Sequence, residues 1–312
     1  MRGKSFFPQS LVIATRKSPL AMWQANFVGT RLQALRPDLR IKLLPLTTQG
    51  DINLHSSLAR IGGKGLFLRE LELALERGQA DFAVHSMKDI PQPLPAGFVL
   101  ACVPKREDPR DVFVCNKVSE LSKLRQGSVV GTASYRRSSQ LLSKFSHLKV
   151  TPARGNLESR LMKLDDGQFD ALILAASGLL RLGLKNRISS FLDTEKFLPA
   201  AGQGALGIEC LARRDDLTKM LKALEDSSAR WCIDAERAMT LSLGADCNFP
   251  VAAFARIRGG HCVLRGFVGD PQGKITIEHS GKALTSESPE MLGAKVARGL
   301  IEKGALEILK AS

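Results

Sequence analysis

The chain has 312 residues, 44% hydrophobic and 24% charged, enough for two or three cores and ordinary for a globular protein. Its longest apolar runs, such as Ala171–Ala176, fall far short of the ~20 residues that span a bilayer, and Met1–Pro8 lacks the apolar core of a secretory signal. Forty-five Lys and Arg against 31 Asp and Glu give a net charge of +14, so an anionic partner or substrate is expected.

In chain order, strand and helix alternate at first. Leu11–Thr15 reads as a strand, and Ser18-Pro19 as a helix cap followed by proline at the first helical position. That helix runs to about Leu35 and ends at Arg36-Pro37-Asp38. Ile41–Leu46 is a second strand. Thr47–Phe67, rich in glycine, serine and charge, is a loop with a cationic tip at Gly62-Gly63-Lys64-Gly65. Glu70–Arg77 is a helix stopped by Gly78, and Asp81–Ser86 a third strand. Such alternation argues for parallel β-α-β units.

After Pro104–Pro109 the pattern restarts, with strands at Asp111–Cys115, Ser128–Gly131, Lys149–Val150 and Ala171–Ala176 and helices between them. Leu198–Gly204 is a return segment, and Leu206–Cys210 a strand able to rejoin the first unit. From about Ser227 the texture changes. Ala229–Leu243 is an amphipathic helix ended by Gly244. The strand-like runs Pro250–Arg258, Cys262–Val268 and Ile275–Ser280 follow, then a helix from Ser288-Pro289-Glu290. The expected architecture is two α/β domains and a small α+β domain with a three-stranded sheet. The expected boundaries are 1–104 with 205–224, 105–204, and 225–312.

Chemistry concentrates at strand ends. Arg136-Arg137 follows Val129–Tyr135 at a helix start, where free N–H groups and guanidinium forks make a socket for an anion. An isolated Arg-Arg pair is more often a solvated pair of charges; recurrence is what favours a site. Arg16-Lys17-Ser18, Lys88-Asp89 and Arg154-Gly155-Asn156 stand in the same position after other strands, as if serving one cleft. Asp89 is the only carboxylate expected among these strand-end cations, either as a turn residue before Ile90-Pro91 or as a buried acid held ionised. None of the six cysteines has metal-ligand spacing, and no metal is expected. They read as reduced thiols of a cytoplasmic protein. Cys247 differs in lying in a polar loop, where Asp246 and a helix C-terminus argue against a fast nucleophile but not against one lasting bond.

Taken together these motifs resemble the porphobilinogen deaminase (hydroxymethylbilane synthase) family over essentially the whole chain. The resemblance rests on Ile13-Ala14-Thr15-Arg16-x-Ser18-Pro19-Leu20-Ala21, Gly62–Phe67 and Val84-His85-Ser86-Met87-Lys88-Asp89. It continues through Arg106–Asp111, Gly131-Thr132-x-Ser134-x-Arg136-Arg137, Arg154-Gly155-Asn156 and Gly202-Gln203-Gly204-Ala205. It implies two domains like type-two periplasmic binding proteins and a third domain carrying the cofactor. It implies a transferase of tetrapyrrole and haem biosynthesis that condenses four porphobilinogen molecules into linear hydroxymethylbilane, releasing ammonia. The chain would be primed on a covalent dipyrromethane cofactor.

By the same resemblance Cys247 is the thioether attachment point and Asp89 the catalytic carboxylate, stabilising the cation formed as ammonia leaves. Arg16, Ser18, Lys88, Ser134, Arg136, Arg137, Arg154, Arg160 and Arg181 would hold carboxylates of cofactor and substrate, and Arg60, Lys64 and Phe67 would belong to a lid loop. The implied protein is a cytoplasmic monomer without nucleic-acid or membrane partners. The chain departs from the common pattern at Ala245-Asp246, where Gly-Gly usually precedes the cysteine, at Arg60 for Lys, and at Ala133 for Ser.

Two other readings meet the charge but not the motifs. A two-lobed anion-binding module predicts neither Asp89 among cations nor a loop cysteine in a third domain. A nucleic-acid binder is disfavoured by one Tyr, two Trp, scattered positive charge and no recognised binding motif.

Overall fold

The computed structural model describes residues 8–52, 68–245, 248–284 and 286–311. The elements of the first part are β1 (Ser10–Arg16), α1 (Pro19–Leu35), β2 (Arg40–Leu46), α2 (Gln49–Ile52), α3 (Arg69–Glu76), β3 (Phe82–Ser86) and β4 (Phe98–Cys102). Then come β5 (Asp111–Val114), β6 (Val129–Gly131), α4 (Tyr135–Lys144), β7 (Lys149–Thr151), α5 (Leu157–Asp165), β8 (Ala171–Ala175), α6 (Ala176–Arg181) and β9 (Ser190–Phe191). The rest comprises β10 (Leu206–Leu211), α7 (Asp215–Leu221), α8 (Ser227–Ser242), β11 (Val251–Arg258), β12 (His261–Gly269), β13 (Thr276–Lys282), α9 (Pro289–Ile301) and α10 (Ala305–Ala311).

The chain divides into two compact units, residues 1–106 with 205–230, and residues 107–204 with 231–312. In the first, the sheet order is β2-β1-β3-β10-β4. β2, β1 and β3 are parallel, pairing Leu11 with Ile41 and Ile13 with Phe82. β10 returns antiparallel between β3 and β4, with Ile208 opposite both Val84 and Cys102. The continuous apolar run in β1 is the mark of a strand covered on both faces. Leu11 and Ile13 pack with Ala25, Val28 and Leu32 of α1 and Leu217 of α7; Ala14 faces Leu71, Ala74 and Leu75 of α3. Ser18 caps α1 by accepting from the Ala21 amide at 3.4 Å, with Pro19 at the first helical position.

The second unit repeats this plan. Its five-stranded sheet runs β7-β6-β8-β5-β9, with β7, β6 and β8 parallel and β5 antiparallel between β8 and β9. Each sheet thus takes its antiparallel inner strand from beyond its own parallel run: β10 in one, β5 in the other. Val112 and Val114 pack against α5 and α6 through Leu161, Leu164 and Leu179, while Phe113 and Val130 meet Leu141 of α4. The same unit contains the antiparallel meander β11-β12-β13. Its inner face, including Ala253, Ala255, Leu264 and Val268, packs with Met239 of α8 and Leu292, Val296 and Leu300 of α9. Its other face buries Ala252, Phe254 and Phe267 with Leu198. These are the two α/β bodies and the three-stranded α+β body expected for the fold class.

The strands β4 and β9 and the short helices α2, α6, α7 and α10 are additions to the elements read from sequence, and α2 lies within the segment read as a loop. None of the five described cysteines forms a disulfide; Cys102, Cys210, Cys232 and Cys262 are buried, as packing residues should be. No described helix is long and apolar enough to cross a membrane.

Candidate functional site

In the first unit, β1 ends in Arg16. Its Nε donates to Asp51 Oδ2 at 3.2 Å, and its Nη2 closes a second, shorter bond to Oδ1. Asp51 Oδ2 also accepts from Thr48, at 3.2 Å from the amide and 2.8 Å from the hydroxyl. Burial pushes the Asp51 carboxyl up, but Arg16 and Thr48 outweigh it and hold it below the usual range. Arg16 is therefore already oriented by a carboxylate that the sequence reading did not pair with it.

β3 ends at Ser86, and a single 3₁₀ turn, Met87–Asp89, presents Lys88 and Asp89. The Met87 amide donates to the Ala205 carbonyl at 3.0 Å, which fixes the turn against the entry to β10. Met87 is buried, Lys88 half-buried and Asp89 exposed. This corrects the expectation of a buried acid: Asp89 reaches solvent, and no ion pair engages it among the described residues.

In the second unit, Arg136 and Arg137 open α4 after Ser134, whose extended backbone occupies the cap position. The pair does not form the open socket expected from sequence. Both side chains are buried, 3% and 7% exposed, and both turn to Asp111, which has no exposed surface at all. Arg136 Nη1 donates to Asp111 Oδ2 at 2.7 Å and to the Leu198 carbonyl at 2.6 Å; its Nη2 donates to Asp111 Oδ1 at 3.3 Å. Arg137 Nε donates to Asp111 Oδ1 at 3.0 Å, Nη1 to the Ile173 carbonyl at 3.2 Å, and Nη2 to Gln203 Oε1 at 3.3 Å. Gln203 Nε2 completes the knot by donating to Asp111 Oδ1 at 2.9 Å and to the Pro109 carbonyl at 2.7 Å.

Burial alone would raise the Asp111 carboxyl. The two guanidiniums and Gln203 reverse that and hold it far below the usual carboxylate range. Asp89 is thus not the sole carboxylate at the cationic strand ends; Asp51 and Asp111 stand there too. One polar atom of the knot is left over: Arg136 Nε is buried with no hydrogen-bond partner among the described residues.

Arg154 and Arg160 flank a second helix start. Asn156 caps α5 by accepting from the Ser159 amide at 2.8 Å. Gly155, at φ +108°, has no room for a Cβ, which would fall 2.2 Å from Ser159 Oγ. Arg160 Nε donates to the Gly155 carbonyl at 2.8 Å, and Lys163 Nζ to the Arg154 carbonyl at 3.2 Å. Both arginines are half-buried. Arg181, at the end of α6, is 8% exposed and donates from Nη2 to the Gly204 carbonyl at 2.7 Å. Burial lowers it to about 10, with Glu107 opposing, so it remains a cation at neutral pH.

Cys247 and the loop residues Arg60, Lys64 and Phe67 lie outside the described residues. Among the described residues, no group of three His, Cys, Asp or Glu is placed to hold a metal ion. Asp51, Asp111 and Gln203 are what sequence reasoning missed. The signal available for Gln203 was its place between Gly202 and Gly204; Asp111 stood at the first position of a strand, an unusual place for an acid.

Two family models match the chain. Residues 11–219 match the porphobilinogen deaminase, dipyromethane cofactor binding domain, and residues 231–302 the porphobilinogen deaminase, C-terminal domain. The porphobilinogen deaminase of Laribacter hongkongensis is 52% identical over 97% of this chain and 98% of its own length. That of Nitrosomonas europaea is also 52% identical, over 97% of this chain and 98% of its own. Among solved structures, the methionine-binding protein MetQ aligns at 13% identity over 72% of this chain and 93% of that chain, with a TM-score of 0.46.

The residues present suit a dipyrromethane. Its acetate and propionate groups call for cationic hydrogen-bond donors, and Arg136 Nε, buried with no partner among the described residues, is such a donor. With one model covering the cofactor-binding part, another the C-terminal part, and relatives 52% identical along nearly the whole length, the chain belongs to the porphobilinogen deaminase family.

Proposed function

We propose that this chain carries out its family's transferase reaction with Asp89 as the catalytic carboxylate and Cys247 as the point of thioether attachment. The reaction condenses four porphobilinogen molecules head to tail, each losing one ammonia, and one water supplies the hydroxyl of the linear hydroxymethylbilane. When bound, the dipyrromethane supplies the pyrrole end from which the chain grows.

The observation that supports this reading most is the chemical contrast between Asp89 and the arginines. Asp89 is an exposed carboxylate on a fixed turn beside Lys88, whereas Arg16 is held by Asp51, and Arg136 and Arg137 are held together by Asp111. A guanidinium fixed in this way has less side-chain freedom to lose when a ligand carboxylate arrives. Arg16, Lys88, Arg136, Arg137, Arg154, Arg160 and Arg181, with the hydroxyls of Ser18 and Ser134, hold ring carboxylates.

Asp89 accepts hydrogen bonds from pyrrole N–H groups. As the C–N bond of the substrate aminomethyl group breaks and ammonia departs, positive charge spreads over the ring. An ionised carboxylate in place beforehand stabilises that charge more than it stabilises the neutral ring. Lys88 and the arginines anchor the acetate and propionate, so the reacting carbon is positioned by its remote groups.

The proposed domain division is 1–104 with 205–224, 105–204, and 225–312, the last carrying Cys247. The proposed state is a cytoplasmic monomer acting in haem biosynthesis. Intact mass of the purified protein beside Cys247→Ser tests the reading. Two linked pyrrole units on the wild type after exposure to porphobilinogen, absent from the variant, are expected. A wild-type chain that stays unmodified and consumes no porphobilinogen overturns it.

A further inference from the structure

The proposed site contains a buried acid that the reaction itself does not need. We propose that Asp111 is a positioning residue: it draws Arg136 and Arg137 to one point and fixes which of their N–H groups remain for a ligand carboxylate. This rests on the reading of Arg136 and Arg137 as carboxylate-binding residues.

Consecutive residues at a helix start point about 100° apart, so two neighbouring arginines do not converge unaided. Here they converge because Asp111, at the first position of β5, receives both. Its Oδ2 takes Arg136 Nη1 at 2.7 Å, and its Oδ1 takes Arg136 Nη2 at 3.3 Å, Arg137 Nε at 3.0 Å and Arg137 Nη2 at 2.8 Å. Backbone carbonyls brace the far sides: Leu198 for Arg136 and Ile173 for Arg137. Gln203 then bridges Asp111 and Arg137.

A guanidinium has five N–H donors. These contacts occupy Nη1 and part of Nη2 in Arg136, leaving Nε and one Nη2 hydrogen; Nε is buried with no partner among the described residues. The acid therefore selects which edge of Arg136 stays available. It also sets the charge. Two cations and one anion leave a single net positive charge, which matches one incoming carboxylate. Without Asp111, two buried like charges repel and lose their common anchor, so binding suffers although the pocket becomes more positive.

The test is steady-state kinetics of the full-length, cofactor-loaded chain on porphobilinogen, with thermal melting as a control for folding. Asp111→Asn keeps the shape and removes the charge. The expected result is a KM raised about tenfold with kcat within about threefold of wild type. A wild-type KM overturns the proposal, and so does a lowered KM, which would mean that added positive charge outweighs geometry.

If Asp111→Asn fails to melt cooperatively, Gln203→Leu decides, because it removes a brace and leaves the ion pairs. A KM raised about threefold or more supports the proposal and an unchanged KM overturns it. A wild-type chain that converts no porphobilinogen defeats the functional reading and the proposal with it. An active wild type with an unaffected Asp111→Asn defeats the proposal alone.

Discussion

His85 Nε2 lies 2.8 Å from Glu209 Oε2, joining β3 to β10 beneath α3, with His85 6% exposed and Glu209 fully buried. Glu72 of α3 shares this pocket. Glu72 Oε1 and Glu209 Oε1 are both buried and have no hydrogen-bond partner among the described residues. Burial, then the charge of Glu209, push Glu72 up to about 7 from 4.5, against the opposing pull of His85. A pKa raised on folding gives stability that is complete below about 4.5 and lost as pH rises through about 7. Glu72→Gln abolishes that loss. Its melting temperature should exceed that of wild type by about 2–4 °C at pH 8 and by almost nothing at pH 4. Equal shifts at the two pH values would show that Glu72 does not titrate in this way.

Asp89→Asn should separate chemistry from folding. The side chain is exposed and supports no described contact, so its melting temperature should stay within about 1 °C of wild type. Turnover should drop by about a hundredfold or more, since the amide cannot neutralise developing positive charge. Porphobilinogen consumption at the wild-type rate would remove Asp89 from the mechanism.

The sequence revealed the frame of this site better than its wiring. Periodicity and punctuation located β1, the Ser18-Pro19 start of α1, and the stops at Gly78 and Gly244, both of which adopt positive φ. Local backbone chemistry decides those features. β9 could not be read because two residues show no alternation, and β4 because it follows a Pro-rich segment with no helical crossover. The partners of the arginines are tertiary: Asp111 lies 25 and 26 positions from Arg136 and Arg137, and Asp51 lies 35 from Arg16. Spacing along a strand or helix carries no trace of such pairs. For the same reason a pair of arginines expected in an open socket turns out to be buried on an acid.

Gly204→Ala probes the return segment that braces Arg181. Gly204 sits at φ +89°, and a Cβ there would fall 2.4 Å from the Glu107 carbonyl. Its own carbonyl accepts from Arg181 Nη2 at 2.7 Å and from the Glu107 amide at 3.1 Å. Strain of this kind costs about 1–3 kcal/mol, and the backbone contact adds to it. Chemical denaturation should show the loss, and porphobilinogen should load the variant more slowly because Arg181 loses its anchor. A variant as stable as wild type would contradict the geometry at this turn.

Arg137→Ala and Arg154→Ala should part company in stability while agreeing in function. Arg137 is buried on Asp111, and its removal leaves that acid with Arg136 and the neutral Gln203 amide. The cost should lie toward the lower end of the ~3–5 kcal/mol for breaking a buried ion pair. Arg154 is half-buried, and its backbone carbonyl, which alanine retains, accepts from Lys163 Nζ. Its truncation should cost less than that of the buried Arg137. Both variants should nevertheless fail to acquire a full complement of cofactor, which intact mass reads directly. A fully loaded Arg154→Ala protein would strike Arg154 from the carboxylate-binding set. A fully loaded Arg137→Ala protein would reduce that arginine to a structural partner of Asp111.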